Sequence, residues 1–406
     1  MVIVGAGPAG AGLALQLSRA GVATTLVEAS RSFERQFRGE ALMPSGLEAL
    51  QAMGLSTLLA TVPTRRLQGW RVVVNGRQLF SVPEPPAGEG GPGCTLVSQP
   101  ALLEALVNAC RRQPCCRWIQ GQPATALLSR QGRIAGIRLG GGEELQASLV
   151  LGCDGRGSLL RQQAGLELVE DPQPIEVLWM RLQAPSPAPL GGQFTTVIGA
   201  EGLFSAFESV RGGLQVGWLL RPGEPTPALD HDGWIKRLAN QCPPELAAWL
   251  RGEGAGGGPP ELKPPVRLRV CCGLAPCWWR PGLLLLGDAA HPMSPVRAQG
   301  LNMALRDAWA AATALIPLLQ AGAQAEPLDR ALALVADQRK REVAGIQRLQ
   351  SQEARRGALL GSQPWLRALL AGAAPALGSA IGHHWQQQQA PLRHGLGPVE
   401  PGPPRP

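Results

Sequence analysis

Apolar and polar positions along this chain fall into alternating strand-like and helix-like stretches. Val2, Ile3 and Val4 form a short apolar run of the kind buried on both faces of a parallel sheet. After a glycine turn, residues 10–20 repeat apolar positions at helical spacing until Gly21 stops them, and residues 23–27 read as the next strand. This is a β-α-β unit. Polar residues 30–40 lead to a second helix through Leu50, and residues 70–82 alternate as a hairpin about Asn75-Gly76. Residues 83–93 read as a Pro- and Gly-rich loop and 100–112 as a helix. Short strands over 124–152 end in the apolar run 149–152. Strand character returns over 175–220, with Trp179, Phe194, Phe204, Phe207 and Trp218. Residues 252–265 read as a low-complexity loop, 266–272 and 283–286 as strands, and a long helix starts near Gly300. Residues 337–374 read as mostly helical, and the proline-rich residues 395–406 as disordered.

The 406 residues suggest two or three domains. No uninterrupted apolar run reaches the roughly 18 residues of a membrane span; residues 308–323, interrupted by Pro317, read as a buried helix. The first strand runs into a glycine turn rather than a secretory pattern, so a cytoplasmic protein is expected. The net charge of +8 comes from scattered arginines without interleaved aromatic residues, which argues against a nucleic-acid partner. Nine cysteines without a CxxC pair read as reduced thiols. Cys272 and Cys277 lack a second ligand pair, and no metal is expected.

Three segments carry the chemistry. In Gly5-Ala6-Gly7-Pro8-Ala9-Gly10, Gly5 permits a tight strand-to-helix turn, Gly7 lets a pyrophosphate approach the backbone, and Gly10 with Ala14 lets the helix pack closely on the sheet. Glu28 ends the second strand, where a carboxylate accepts from a ribose diol and repels a 2′-phosphate; the site suits FAD or NAD. The second segment runs from Leu149 through Gly152, Asp154-Gly155 and Arg156 to Ser158 and Arg161. Taken alone, it is equally a turn before a Ser-capped helix. In the third, a strand delivers Gly287-Asp288 to its carboxyl end, placing Asp288 for a sugar or ribityl hydroxyl. His291, Pro292, Pro295, Ala298, Gln299, Gly300, Leu301 and Asn302 follow, opening a helix whose positive end favours an anionic, reduced flavin. His291 and Pro295 fall near that ring. A histidine in such a loop is more often structural than catalytic, and no catalytic side chain is assigned.

In this order and spacing the three segments resemble the FAD-dependent aromatic-ring hydroxylases, the group around para-hydroxybenzoate hydroxylase, over roughly residues 1–345. The resemblance implies an α/β fold: a Rossmann-type FAD-binding domain of residues 1–69, 95–165 and 275–345, a substrate-binding mixed β-sheet domain of 70–94 and 166–274, a helical region of 346–394 and a tail of 395–406. It implies that Gly5, Gly7, Pro8, Ala9, Gly10 and Glu28 hold the ADP half of FAD. Asp154 and Gly155 serve the pyrophosphate and NAD(P)H, and Gly287 and Asp288 the ribityl chain. Pro295, Ala298, Gln299, Gly300, Leu301 and Asn302 lie at the flavin ring. Arg38, with Arg35 as the weaker candidate, matches a family arginine near the flavin, and Gln99 a side chain contacting FAD.

The activity implied is monooxygenation. NADPH or NADH reduces FAD, O2 forms a flavin C4a-hydroperoxide, and an apolar or aromatic small molecule is hydroxylated or epoxidised. Two other readings stand beside it. A reductase of the geranylgeranyl-reductase type shares the first and third segments, but His291-Pro292 and Gln299-Gly300 argue against it. The other is an FAD-binding protein without turnover, suggested by Ala298 in place of the usual glycine and by the short N-terminus. If Ala298 needs a positive φ, it costs on the order of 1 kcal/mol. Arg297 beside it adds a charge toward an anionic flavin or substrate. With no tyrosine in the chain, no tyrosine can activate the substrate. The apolar stretch 359–381, with Trp365, is expected to cap the core; contact with a membrane surface is the less favoured alternative.

Overall fold

The structure is a computed structural model, which describes residues 1–34, 40–85, 93–172, 175–220, 223–253, 258–397 and 399. Val2–Val4, the short apolar run, occupies the middle of a six-stranded sheet. There it pairs in parallel with Thr24–Glu28 on one side and Val150–Gly152 on the other. Leu283–Leu285 joins Val150–Gly152 in parallel, Cys116–Gln120 closes the far edge, and Trp279–Arg280 turns back antiparallel at the near one. Central strands covered on both faces must be apolar throughout, and Ile3, Leu151, Leu284 and Leu285 have no exposed surface. The chain leaves Val2–Val4 toward one side and Val150–Gly152 lies on the other, so a crevice opens at the carboxyl ends of these two strands.

The helices Pro8–Arg19 and Gln99–Arg111 pack together beside this sheet, and the helix Gln299–Gln320 crosses both Pro8–Arg19 and Pro44–Ala52. Pro317 does not interrupt Gln299–Gln320. So near the C-terminal end it removes a single N–H, while Ala311, Ala312 and Leu315 stay buried.

A second, eight-stranded sheet combines the hairpin Gly69–Val74 and Arg77–Pro83 with Gln193–Ile198, Leu203–Glu208, Leu214–Leu220 and Ile175–Gln183. Its pairings are antiparallel except that Gln193–Ile198 runs parallel to Gly69–Val74. The loop expected over residues 252–265 carries a two-residue strand, Glu261–Leu262, recruited by the edge of Ile175–Gln183. On one face of this sheet Phe204, Val216 and Trp218 pack under the helices His231–Ala239 and Pro244–Arg251. Trp70, Phe194 and Phe207 belong to a separate cluster that includes Ala298 and Trp385.

The C-terminal region forms two long helices, Ala325–Ser362 and Pro364–Gln388. They break at Gln363, whose backbone is extended (φ −112°, ψ 96°) as the residue before a proline prefers. Pro364–Gln388 lies on the hairpin strand Arg77–Pro83. The start of the expected tail is packed: Arg306 donates to the Gly397 carbonyl at 2.6 Å and Val399 is buried. Residues 400–406 lie outside the described residues. Among the described residues no helix is long and apolar enough to cross a membrane.

Candidate active site

Gly5 takes a positive φ of 97°, and a Cβ there would stand 2.2 Å from the Cys153 carbonyl oxygen. One on Gly10 would stand 1.9 Å from the carbonyl of Gly5. These two glycines therefore let strand, helix and the neighbouring loop close up. Gly7 differs. It caps the helix in an extended conformation, and an added Cβ would meet nothing within 4 Å. Pro8 opens the helix and Ala9 is buried against the sheet. Glu28, also buried, accepts from the Ala6 N–H and from the Ser30 N–H, each at 2.8 Å. The carboxylate read as a ribose acceptor thus braces the glycine turn, with one lone pair of each oxygen spent on backbone.

The Asp154–Gly155 loop sits across the crevice. Asp154 accepts from Ser158 Oγ at 2.6 Å and from the Leu160 N–H at 3.1 Å, while Ser158 caps the helix Leu159–Gln163. Burial pushes the Asp154 carboxyl above its ordinary range against those hydrogen bonds. Its side chain shapes its own loop, and the open positions are Gly155 (φ 82°) and Gly157, around which a Cβ would meet nothing. Arg156 reaches Asp288 at 3.3 Å and Arg161 donates to the Ala289 carbonyl at 2.7 Å, so the second and third segments meet.

Gly287 has φ 60°, and its N–H donates to Asp307 at 2.8 Å. Asp307 also meets His291 Nε2 at 2.6 Å and Arg339 Nε at 2.8 Å, and all three side chains are fully buried. Burial opposes ionisation of Asp307, but His291 and Arg339 overcome it and bring the carboxyl down to about 2. His291 stacks on Trp278 with ring centres 4.9 Å apart. A sealed imidazole bonded to a carboxylate holds the Gly287 turn in place; it is not open to a substrate as a base. Asp288 remains partly exposed.

Pro295 is exposed, and its carbonyl accepts from the Ala298 N–H at 3.0 Å. Arg297 (φ 59°) and Ala298 (φ 50°) are both left-handed, a conformation that costs a non-glycine residue roughly 1 kcal/mol or more. Asn302 holds the turn, donating to the carbonyls of Ala298 (2.8 Å) and Ala41 (3.1 Å) and accepting from the Met43 N–H (2.8 Å). Gln299 donates to the carbonyls of Arg297 and Leu392, each at 2.8 Å. Gln299, Gly300 and Leu301 form the first helical turn, whose N–H groups lack intrahelical partners. Gln99 is buried with its Oε1 unpartnered. Arg35 and Arg38 lie outside the described residues.

Sequence reasoning looked to the second sheet to roof the pocket and missed the share that Trp385 of the helix Pro364–Gln388 takes beside this turn. Trp70 and Phe194 (5.2 Å between ring centres), Phe194 and Phe207 (5.5 Å), and Phe80 and Trp385 (5.3 Å) form an aromatic chamber filled by its own side chains and shared between the second sheet and the helix Pro364–Gln388. Glu84 ties it together, accepting from Trp70 Nε1, from the Cys94 N–H at 2.8 Å and from Arg393 at 2.6 Å. Elsewhere a groove of about 550 Å3 runs between Arg77–Pro83 and that helix. It includes none of the glycine turns and plays no part in this site.

The unpartnered Gln99 oxygen, the open space at Gly7, Gly155 and Gly157, and a helix N-terminus facing the crevice fit a dinucleotide with a flavin ring. The profile of the family described as FAD binding domain matches residues 1–219 and 274–341. The 6-methylpretetramide 4-monooxygenase of Streptomyces rimosus is 34% identical over 371 residues, covering 87% of this chain and 83% of the relative. The 3-demethoxyubiquinol 3-hydroxylase of Escherichia coli K12 is 26% identical over 332 residues, covering 76% and 77%. In fold, the crystal structure of p-nitrophenol 4-monooxygenase from Pseudomonas putida superposes with a TM-score of 0.75 at 19% identity, covering 98% of each chain. The reductase reading finds no such support, and the chain belongs to the FAD-binding flavoprotein monooxygenases, with FAD as its cofactor.

Proposed function

We propose that this chain takes electrons from NADPH or NADH and, with O2, hydroxylates or epoxidises an apolar, aromatic small molecule. The observation that carries the substrate class is the chamber of Trp70, Phe194, Phe207 and Trp385 facing the left-handed turn at Ala298. Bound FAD supplies the redox chemistry and the activation of oxygen. The protein's part is to bind, orient and keep water out.

The N–H groups at Gly7 and the start of the helix Pro8–Arg19 would hold the pyrophosphate, and the open space at Gly155 would leave room for it. Glu28 would accept from the ribose, and Asp288 from the ribityl chain. The amides of Gln299, Gly300 and Leu301, at a helix N-terminus, would stabilise negative charge on the ring. Gln99 Oε1 would gain its missing donor from the cofactor. The aromatic walls exclude water from the reacting atoms. His291, sealed by Asp307, is not posed as an acid or base toward the chamber.

The test is an absorption spectrum of the FAD-loaded protein under anaerobic NADPH, alone and with naphthols added. Bleaching of the flavin bands and their return in air, with oxygenated naphthol detected, is the result expected. Bands that persist under every nucleotide and aromatic compound tried would make this a binding protein without turnover.

A further inference from the structure

Arg297 stands at the junction of the flavin turn and the aromatic chamber. Its guanidinium carbon lies 4.8 Å from the centre of the Trp70 ring and 4.4 Å from that of Trp385, so the two indoles hold it on their π-faces. Its ion-pair partner, Glu353, is 3.9 Å away, beyond hydrogen-bond reach, and Glu353 also accepts from Gln389 at 2.8 Å. Burial pushes Arg297 down to about 10, which still leaves it charged at neutral pH. A left-handed backbone at a non-glycine residue, holding a desolvated cation whose counter-ion stands beyond hydrogen-bond reach, is a costly arrangement for structure alone.

Arg297 also lines a cavity with Met43, Trp70, Trp385, Gln389 and Arg393. Gln389 and Arg393 are buried, with Oε1 and Nε respectively unpartnered. The cavity has room for about 10 Å3, one water molecule at most. A ring entering here has to take the place of the Trp385 indole, which belongs to the C-terminal helix and not to the sheet.

We infer that Arg297, with Arg393 beside it, is the specificity-determining cation of the substrate pocket: it binds a planar aromatic anion, a carboxylate or an ionised ring hydroxyl, whose ring replaces Trp385 opposite Trp70. The inference rests on the monooxygenase reading above and adds a charge requirement to it. The position favours substrate over flavin as the anion served, because the guanidinium points between the chamber's indoles while the amides of Gln299, Gly300 and Leu301 remain for the cofactor.

Calorimetric titration of the FAD-loaded full chain with 2-naphthoate and with its neutral isostere 2-naphthamide tests it. The wild type binds the acid on the order of 10-fold or more tightly than the amide, as a buried charge-assisted hydrogen bond allows. Arg297→Gln abolishes the preference, Arg297→Lys restores part of it, and Trp385→Ala tightens both ligands while keeping the preference. The flavin absorbance of each variant reports its fold. Equal affinity for the two probes in the wild type, a preference that survives Arg297→Gln, or no binding of either overturns the inference. Flavin that bleaches with NADPH and recovers in air, in a wild type without the preference, overturns this inference alone. A preference in a protein whose flavin never bleaches overturns turnover and leaves the anion pocket standing.

Discussion

Single residues decide whether the cofactor crevice exists. Gly10→Ala drives a methyl group into the Gly5 carbonyl, whose oxygen would be 1.9 Å away. The expected outcome is loss of bound flavin from the purified protein, read as loss of its visible absorbance. Ala298→Gly acts in the opposite direction: it relieves a left-handed alanine and should stabilise the protein by about 1 kcal/mol in thermal unfolding. Asp307 sets a pH dependence. Its folded carboxyl lies at about 2, below the ordinary value of about 3.9. Its contribution is therefore complete above the ordinary value and is lost as pH falls toward about 2. Asp307→Asn should flatten that acid limb of a pH–stability curve. By leaving Arg339 and His291 without their carboxylate, it should also cost about 3 kcal/mol or more at neutral pH.

At the level of elements, the turns of the three segments were legible in the sequence because their geometry is local. Gly5, Gly7 and Gly10 answer to backbone geometry within six positions, and Gly287-Asp288 follows directly on an apolar strand. Partners farther along the chain were not legible. Glu28 is engaged with the backbone of Ala6, 22 positions before it, and the structural role expected of His291 came without its partner, Asp307 on the following helix. The lid of the chamber was legible only as an apolar stretch expected to cap the core, because Arg393 reaches Glu84 across 309 positions and no local pattern announces such a contact. The helix Pro364–Gln388 approaches the hairpin closely enough that a Cβ on Gly378 would lie 2.2 Å from the Leu79 carbonyl oxygen. Gly378→Ala should lift this helix, at a cost of about 1–3 kcal/mol. Faster amide hydrogen exchange over Arg77–Pro83, with the remote strand Val2–Val4 unchanged, is the readout.

Over the whole molecule, the first sheet and the helices behind it share one core, while the second sheet has separate clusters on its two sides. FAD bridges loops from three distant parts of the sequence in the proposed site, so its binding should raise the stability of the assembly. With free FAD at 100 times its dissociation constant the gain is about 2.7 kcal/mol, visible as a higher melting temperature than that of the apoprotein. The parallel register of Val197 with Val73 has a different consequence, which belongs to biosynthesis. The hairpin Gly69–Val74 and Arg77–Pro83 leaves the ribosome roughly a hundred residues before its parallel neighbour, a delay on the order of ten seconds at ordinary rates of translation. Until then Trp70, Val72 and Phe80 have no sheet to join, and an unpaired apolar strand edge is a template for association with other nascent chains. Demand for a chaperone during synthesis should thus peak in this interval, well before the active site can assemble.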